Sequence, residues 1–454
     1  MCGVFGIRAP GRDVARLSYF GLYALQHRGQ ESAGIAVCDE GRLTGMRDLG
    51  LVTQVFDEQK LSGLRGELAI GHTRYSTTGS NGWLNAQPLI HHGPARTVAL
   101  GHNGNLTNAD ALRDELNPRL SSTSDSEVIA ALIAADDRGL DEAAASALEQ
   151  LEGAASIVGL ADGELFAFRD AHGFRPLVLG WLGDDPVIAS ETCALDLVGA
   201  TFDRDIAPGE LVIAGPGGLR SEQVLPRAGG GALCIFEFFY LARPDTKLDG
   251  VEVHGARVRM GERLALEAPA EADLVLPIPD SGTPAAIGFA RATGIPFSEG
   301  LIKNRYVHRT FIHPEQGMRD QGIRMKFNPL AEVAGKRLVI VDDSIVRGST
   351  TRQIVQMLFD AGAAEAHVRI SSPPVISPCY YGIDLASEDE MIAANHSVEE
   401  VREAIGATSL AYISLEGLQE ATRRPATALC RACLTREYPT SIPEIASKLR
   451  FEVV

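Results

Sequence analysis

A chain of 454 residues, at about 150 residues per domain, reads as two to four domains with room for sizeable cores, which excludes a peptide-sized binding module. Hydrophobic residues at 45% and charged residues at 22% supply enough apolar surface to offset the ordering entropy of the chain, so wholesale disorder is excluded too. Lys and Arg number 42 against 59 Asp and Glu, a net charge of −17 that sets the surface against nucleic acid and anionic membrane, and an anionic ligand therefore requires a local basic site.

In chain order, short strands are predicted at 67–71, 97–101 and 164–168, separated by Gly-rich turns, with helices at 125–135 and 140–152 where apolar residues recur near helical spacing. This is the pattern of an α+β layered domain. Turn signals at Pro208 to Glu210, Gly215 to Gly218 and Gly229 to Gly231 put a boundary near residues 215–231. Beyond it the runs at 273–279 and 337–343 are continuously apolar and end in polar residues, as parallel strands buried on both faces do. A helix at 351–361 and a strand at 365–370 complete a strand–helix–strand unit, whose ligands bind beyond the carboxyl ends of the strands. No internal repeat is evident, and the two parts read as different folds joined.

Seven cysteines are an odd count, which speaks against a complete disulfide framework. The opening MCGVFGIRAP lacks the apolar core of a signal peptide, and no stretch approaches about 18 consecutive apolar residues. The expectation is a cytoplasmic protein with reduced thiols.

Cys2 is followed by Gly3. Removal of an initiator Met before small residues is easy, and the mature chain would then begin with a thiol and an α-amine on one residue. Reference pKa values of about 7.7–8.0 for the amine and about 8.5 for the thiol let one residue supply both nucleophile and general base. Taken alone, Cys2 is more simply a small residue at an ordinary terminus. Its company alters that. MCGVFGI, QHRGQESAG from Gln26 to Gly34, GHTRYST from Gly71 to Thr77 and GHNGN from Gly101 to Asn105, taken with Asp125, resemble the N-terminal-nucleophile glutamine amidotransferases. The resemblance implies αββα layers, Cys2 as nucleophile and α-amine base, an oxyanion hole from the Asn103 side chain and the Gly104 N–H, and a glutamine pocket using Arg74, Thr77 and Asp125. A guanidinium fork suits an α-carboxylate, and a carboxylate suits the α-ammonium.

The segment Val339 to Thr351 reads VIVDDSIVRGSTT: a buried strand, two acids, a hydroxyl-rich Gly loop and a helix start. Backbone N–H groups there suit a phosphate dianion, and the absence of a Gly-Lys-Ser/Thr sequence excludes a Walker loop. Asp342 and Asp343 are placed to hold ribose hydroxyls and a hydrated Mg²⁺ ion. The segment resembles the phosphoribosyl pyrophosphate (PRPP) loop of the type I phosphoribosyltransferases, an α/β fold with a parallel sheet. That implies Arg347, Gly348, Ser349, Thr350 and Thr351 around the 5′-phosphate. The turn PDSGTP from Pro279 to Pro284 offers N–H groups and hydroxyls to pyrophosphate or, through Ser281, to the metal. Between Lys303 and Lys326 six basic residues face only Glu315 and Asp320. Within that run KNRY, from Lys303 to Tyr306, is similar to the family's loop that closes over PRPP and excludes water, which makes Lys303 and Tyr306 PRPP contacts.

The two parts in this order resemble the glutamine phosphoribosylpyrophosphate amidotransferases, in their iron–sulfur-bearing branch, over essentially the whole chain. The family implies a glutaminase domain at 1–228 and a phosphoribosyltransferase domain at 229–454. Ammonia from glutamine would pass under cover to C1 of PRPP, displace pyrophosphate with inversion and give 5-phosphoribosylamine, the first committed step of purine synthesis. A homotetramer inhibited by purine nucleotides is also implied, with glutamine and PRPP as substrates and neither nucleic acid nor membrane as partner. Cys38 and Cys193 read as core residues. Cys234, Cys379, Cys430 and Cys433 can hold a [4Fe–4S] cluster or a zinc ion; spacing alone leans to zinc, and the resemblance implies the cluster. Two departures stand out: only Met1 precedes Cys2, where relatives often carry a short propeptide, and His308 stands where they commonly have Gly. Competing readings are a sugar-phosphate-aminating or asparagine-forming amidotransferase, against which the PRPP loop argues, and a silent PRPP-sensing regulator, for which a basic DNA-binding module is missing.

Overall fold

The computed structural model describes residues 2–76, 82–116, 120–304, 325–385 and 387–442. The first half folds into two antiparallel sheets. The seven-stranded sheet runs in the order Thr201–Asp205, Val178–Leu182, Asp185–Ala189, Gly3–Arg8, Leu68–Arg74, Ser32–Asp39, Arg42–Leu49. The six-stranded sheet runs Gly218–Gln223, Glu210–Gly215, Glu164–Arg169, Gly153–Ala161, Thr97–Leu106, Leu89–His92.

Alternation along each strand builds the layers. In Gly3–Arg8, Val4 points into the core between the sheets with Ile70, Val158 and Val212. Its neighbours Phe5 and Ile7 turn outward against Leu22 of the helix Val14–Ala24. On the far side, Ala155 and Ile157 pack under Ile129, Ile133 and Ala144 of the helices Asp125–Ala135 and Leu140–Gln150. The result is helix, sheet, sheet, helix, the αββα arrangement. Each fully buried Leu, Ile or Phe contributes about 1.5–3 kcal/mol, so the strand ends that carry Cys2, Arg74 and Asn103 are held by the core.

The second half carries a parallel sheet in the order Leu274–Pro277, Arg337–Asp342, Glu365–Ile370, Ser409–Tyr412. Its strands Leu274–Pro277 and Arg337–Asp342 are largely apolar because both faces are covered. Val275, Val339 and Val341 meet Phe289 and Ala286 of the helix Thr283–Thr293. Leu276, Leu338 and Ile340 meet Ile354 and Leu358 of the helix Ser349–Asp360 on the opposite side.

Gly215 to Gly218 proves to be the tight turn of a hairpin inside the six-stranded sheet, with Gly215 opposite Gly218. Further on, Leu233–Cys234 pairs in parallel with Leu429–Cys430, and a π-helical turn, Glu237–Leu241, follows. Among the described residues no helix is long and apolar enough to cross a membrane.

Candidate functional site

Cys2 lies at the head of the strand Gly3–Arg8, which pairs with Leu68–Arg74 in a register that sets Gly3 opposite Thr73. That pairing brings the thiol beside the end of the strand bearing Arg74, and the Sγ lies 3.6 Å from the Tyr75 carbonyl oxygen. The backbone N–H of Cys2 donates to Asn103 Oδ1 at 3.2 Å, and Arg28 Nε donates to the Cys2 carbonyl at 3.0 Å. With its Oδ1 so used, Asn103 presents Nδ2, which is buried and has no hydrogen-bond partner among the described residues. A buried, unmatched N–H is costly, so an acceptor belongs there.

A small cleft is lined by Cys2, Arg74, Gly104 and Asp125, among others. Asp125 begins the helix Asp125–Ala135, whose cap Ser124 accepts from the Ser126 N–H, and one Asp125 oxygen accepts from the Leu106 N–H at 3.0 Å. Arg74 is buried, with Glu31 at 3.9 Å. A hydrogen-bonded network built on Gln87 and Ser126, which sequence reasoning did not single out, fixes the floor. Gln87 accepts from the His102 N–H at 2.8 Å and donates to Ser126 Oγ at 2.9 Å, and His102 Nδ1 lies 3.1 Å from the same hydroxyl. Glu127 accepts from the N–H groups of Ser121 and Ser122 at 2.9 and 2.6 Å and so anchors the approach to Asp125. Burial alone would raise its pKa, but His91 and these donors hold it down to about 2. His72, buried completely, is pushed down to about 3 by desolvation and stays neutral. Thr77 lies outside the described residues.

At the second site, the strand Arg337–Asp342 delivers Asp342 and Asp343, both buried, to the carboxyl edge of the sheet. Desolvation, and for Asp342 the neighbouring carboxylate, push both above the usual carboxylate range, while a Ser281 hydrogen bond opposes the rise at Asp343. Such a pair favours a divalent cation, which removes both costs. Gly348, at φ +74°, caps the helix Ser349–Asp360, whose first-turn N–H groups have no acceptor within the helix. Ser349 and Thr350 are exposed beside that opening and Thr351 is buried. Arg347 pairs with Glu390 at 2.8 Å, and Lys303 forms an ion pair with Asp280 on the turn that carries Ser281. Tyr306 and His308 lie outside the described residues.

The two sites meet through the segment 380–384. Tyr75 Oη donates to Asp384 at 3.2 Å, and Asn105 Nδ2 donates to the Tyr380 carbonyl at 3.0 Å. Cys38 and Cys193 are buried and free, and each lies in the apolar core of the first half.

Residues 72–197 match the family model described as a glutamine amidotransferase domain. The amidophosphoribosyltransferase of Synechococcus elongatus is 54% identical over 100% of this chain and 94% of its own length. That of Bacillus subtilis is 47% identical over 97% of the chain and 94% of its own length. The solved structure of glutamine PRPP amidotransferase from B. subtilis, complexed with ADP and GMP, superimposes with a TM-score of 0.91 at 46% identity, covering 98% of both chains. With the layers of an N-terminal-nucleophile amidotransferase ahead of a phosphoribosyltransferase sheet, the chain belongs to the amidophosphoribosyltransferases, the glutamine-dependent pentosyltransferases that catalyse the first step of purine biosynthesis.

Proposed function

We propose that this chain carries out the family reaction with Cys2 as nucleophile, its α-amine acting as base once whatever precedes it has been removed. The observation that carries the reading is the pairing of the Cys2 N–H with Asn103 Oδ1 while Asn103 Nδ2 stays buried and unmatched. An oxyanion formed by thiolate attack on the glutamine amide would take that donor together with the Gly104 N–H. Arg74, Thr77 and Asp125 hold the α-carboxylate and α-ammonium of glutamine. Ammonia is protonated in bulk water at neutral pH, so it passes under cover to the second site.

There the first-turn N–H groups, Arg347, Gly348, Ser349, Thr350 and Thr351 cradle the 5′-phosphate, and Asp342 and Asp343 orient the ribose. Lys303 and Tyr306 close over the pyrophosphate. Ser281, Asp342 and Asp343 are suited to Mg²⁺, which when bound neutralises charge on the departing pyrophosphate.

Cys234, Cys379, Cys430 and Cys433 are proposed to hold a [4Fe–4S] cluster, with zinc the alternative that four thiols admit. Among the described residues no three Cys, His, Asp or Glu side chains gather as a site for one metal ion. The four thiols nonetheless share one region. Cys234 stands opposite Cys430, the Cys433 carbonyl accepts from Ile376 and Ser377, and the Tyr381 N–H donates to Cys379 Sγ at 3.4 Å. Burial pushes Cys234 up to about 11 against the pull of Arg175; burial, then the other three thiols, pushes Cys433 well up. Arg175, which both Cys234 and Cys379 influence, supplies positive charge beside an anionic cluster.

The division into units at 1–228 and 229–454 is proposed from the chain's passage out of the six-stranded sheet. A homotetramer, a cytoplasmic location and inhibition by purine nucleotides are proposed from the relatives, the last because the B. subtilis enzyme was solved with ADP and GMP. The test is an assay of glutamate and pyrophosphate with glutamine, PRPP and Mg²⁺. Both products are expected together, and Cys2→Ala is expected to lose glutamine-dependent turnover while retaining turnover with ammonia at high pH. Pyrophosphate release from neither nitrogen donor would overturn the reading.

A further inference from the structure

Glu237 opens the π-helical turn Glu237–Leu241 and is completely buried. Arg28 donates to both its oxygens, at 3.0 and 2.6 Å, and Arg175 donates to one of them at 3.2 Å. Both guanidinium groups are buried as well. Burial alone would lower Arg28, but the carboxylates of Glu237 and Glu191 more than offset it, so Arg28 keeps its charge. What distinguishes this network from ordinary buried ion pairing is where its two ends go. One end is Arg28 Nε on the Cys2 carbonyl at 3.0 Å. The other is Arg175, whose Nε and Nη2 both donate to the Tyr381 carbonyl, at 2.9 and 2.7 Å. The next residue, Gly382, lies so close that a Cβ there would meet the Gly104 backbone at 3.1 Å.

We propose that the buried clamp Arg28–Glu237–Arg175 positions the glutamine half-reaction, holding the carbonyl of the nucleophile and the 381–382 backbone that backs the oxyanion donor in one frame. Glu237 is its hub and acts as a positioning residue, touching neither substrate. The physical reason is that a buried ion pair is weak evidence of stability, since an apolar replacement is often as stable. What three planar, forked groups supply better than apolar packing is fixed geometry, and a misplacement of about 1 Å at a reacting centre costs about 10²-fold in rate. The second half of the chain therefore completes the glutamine site of the first.

The inference rests on the roles proposed above for Cys2 and Gly104. Its test uses the full-length holoenzyme with two variants, Glu237→Gln and Arg175→Lys, the second keeping the charge but losing the two-point grip on Tyr381. Each is assayed with glutamine and with ammonia, beside Cys2→Ala and a thermal melt. The expected result is a fall of about 10²-fold in glutamine-dependent kcat, with glutamine KM and ammonia-dependent turnover each within about threefold. A parallel fall with both nitrogen donors, or no fall with glutamine, overturns it. Should Glu237→Gln not fold, the charge-conserving Arg175→Lys decides by the same split. If Cys2→Ala retains glutamine-dependent turnover, the site assignment has failed; if only the clamp variants behave like wild type, the clamp alone has failed.

Discussion

Replacing Gly104 by Ala tests the oxyanion assignment through space alone. A Cβ built on Gly104 falls 2.6 Å from the Ala154 carbonyl carbon and 2.6 Å from His102 Nε2, and closer still to the Ala154 oxygen, whereas ordinary contact begins at 3.4 Å. Neither neighbour can step aside cheaply. Ala154 lies in the central strand Gly153–Ala161, and its oxygen is 3.0 Å from His102 Nε2 in a fully buried contact. The strand Thr97–Leu106 must therefore withdraw by about 1 Å, a displacement that typically costs about 10²-fold in rate. Loss of the Gly104 donor itself corresponds to about 10²–10³-fold, or about 2.7–4 kcal/mol. Glutamate release at saturating glutamine is expected to fall by that factor, while pyrophosphate release with ammonia at high pH changes by less than about threefold. A folded Gly104→Ala variant that releases glutamate at the wild-type rate would refute the reasoning.

Glu127 ties acid stability to the proposed glutamine pocket. Its carboxyl titrates at about 2 in the folded chain against an ordinary 4.5, so the stabilisation is fully present above 4.5 and is lost as pH falls toward 2. Thermal melts across that window should show a shallower pH slope for Glu127→Gln, and an unchanged slope would discard the linkage. Asp343→Asn should lower turnover with glutamine and with ammonia together, by about 10²-fold, because it acts at the proposed PRPP site; a loss confined to glutamine would contradict this. Anaerobic protein as isolated should contain about four iron and four sulfide per chain, both reduced in Cys430→Ser, whereas zinc without sulfide would decide for the alternative.

The apolar runs at 273–279 and 337–343 announce the parallel sheet because a strand covered on both faces has no polar face to disguise it. The helix at 125–135 has its predicted bounds, since Ser124 and the buried apolar run agree. The helix after the proposed PRPP loop begins at Ser349 rather than 351, because Gly348 takes the cap and hydroxyl residues tolerate the first turn. The strand Arg42–Leu49 carried no signal. It lies at the sheet edge with exposed or half-exposed residues throughout, and only its pairing with Ser32–Asp39 defines it. In the site, residues inside family-like motifs were legible, whereas Gln87 and Ser126 were not, because their role shows only in the hydrogen bonds they make in the fold. Glu237 carried no signal of this role, because its partners Arg28 and Arg175 are distant in sequence and meet it only in the fold.

The parallel pairing of Cys234 with Cys430 also imposes an order in time. It closes a loop of roughly two hundred residues, whose length-dependent closure entropy is about 4–5 kcal/mol. At about 5–20 residues per second a ribosome needs about 10–40 s to travel from the first of these cysteines to the last. Throughout that interval Cys234 waits without its strand partner, while the first half of the chain can already fold around its own cores. The four-thiol region is therefore among the last parts of the molecule to assemble, and its early member is the thiol most open to capture by the nascent chain's surroundings.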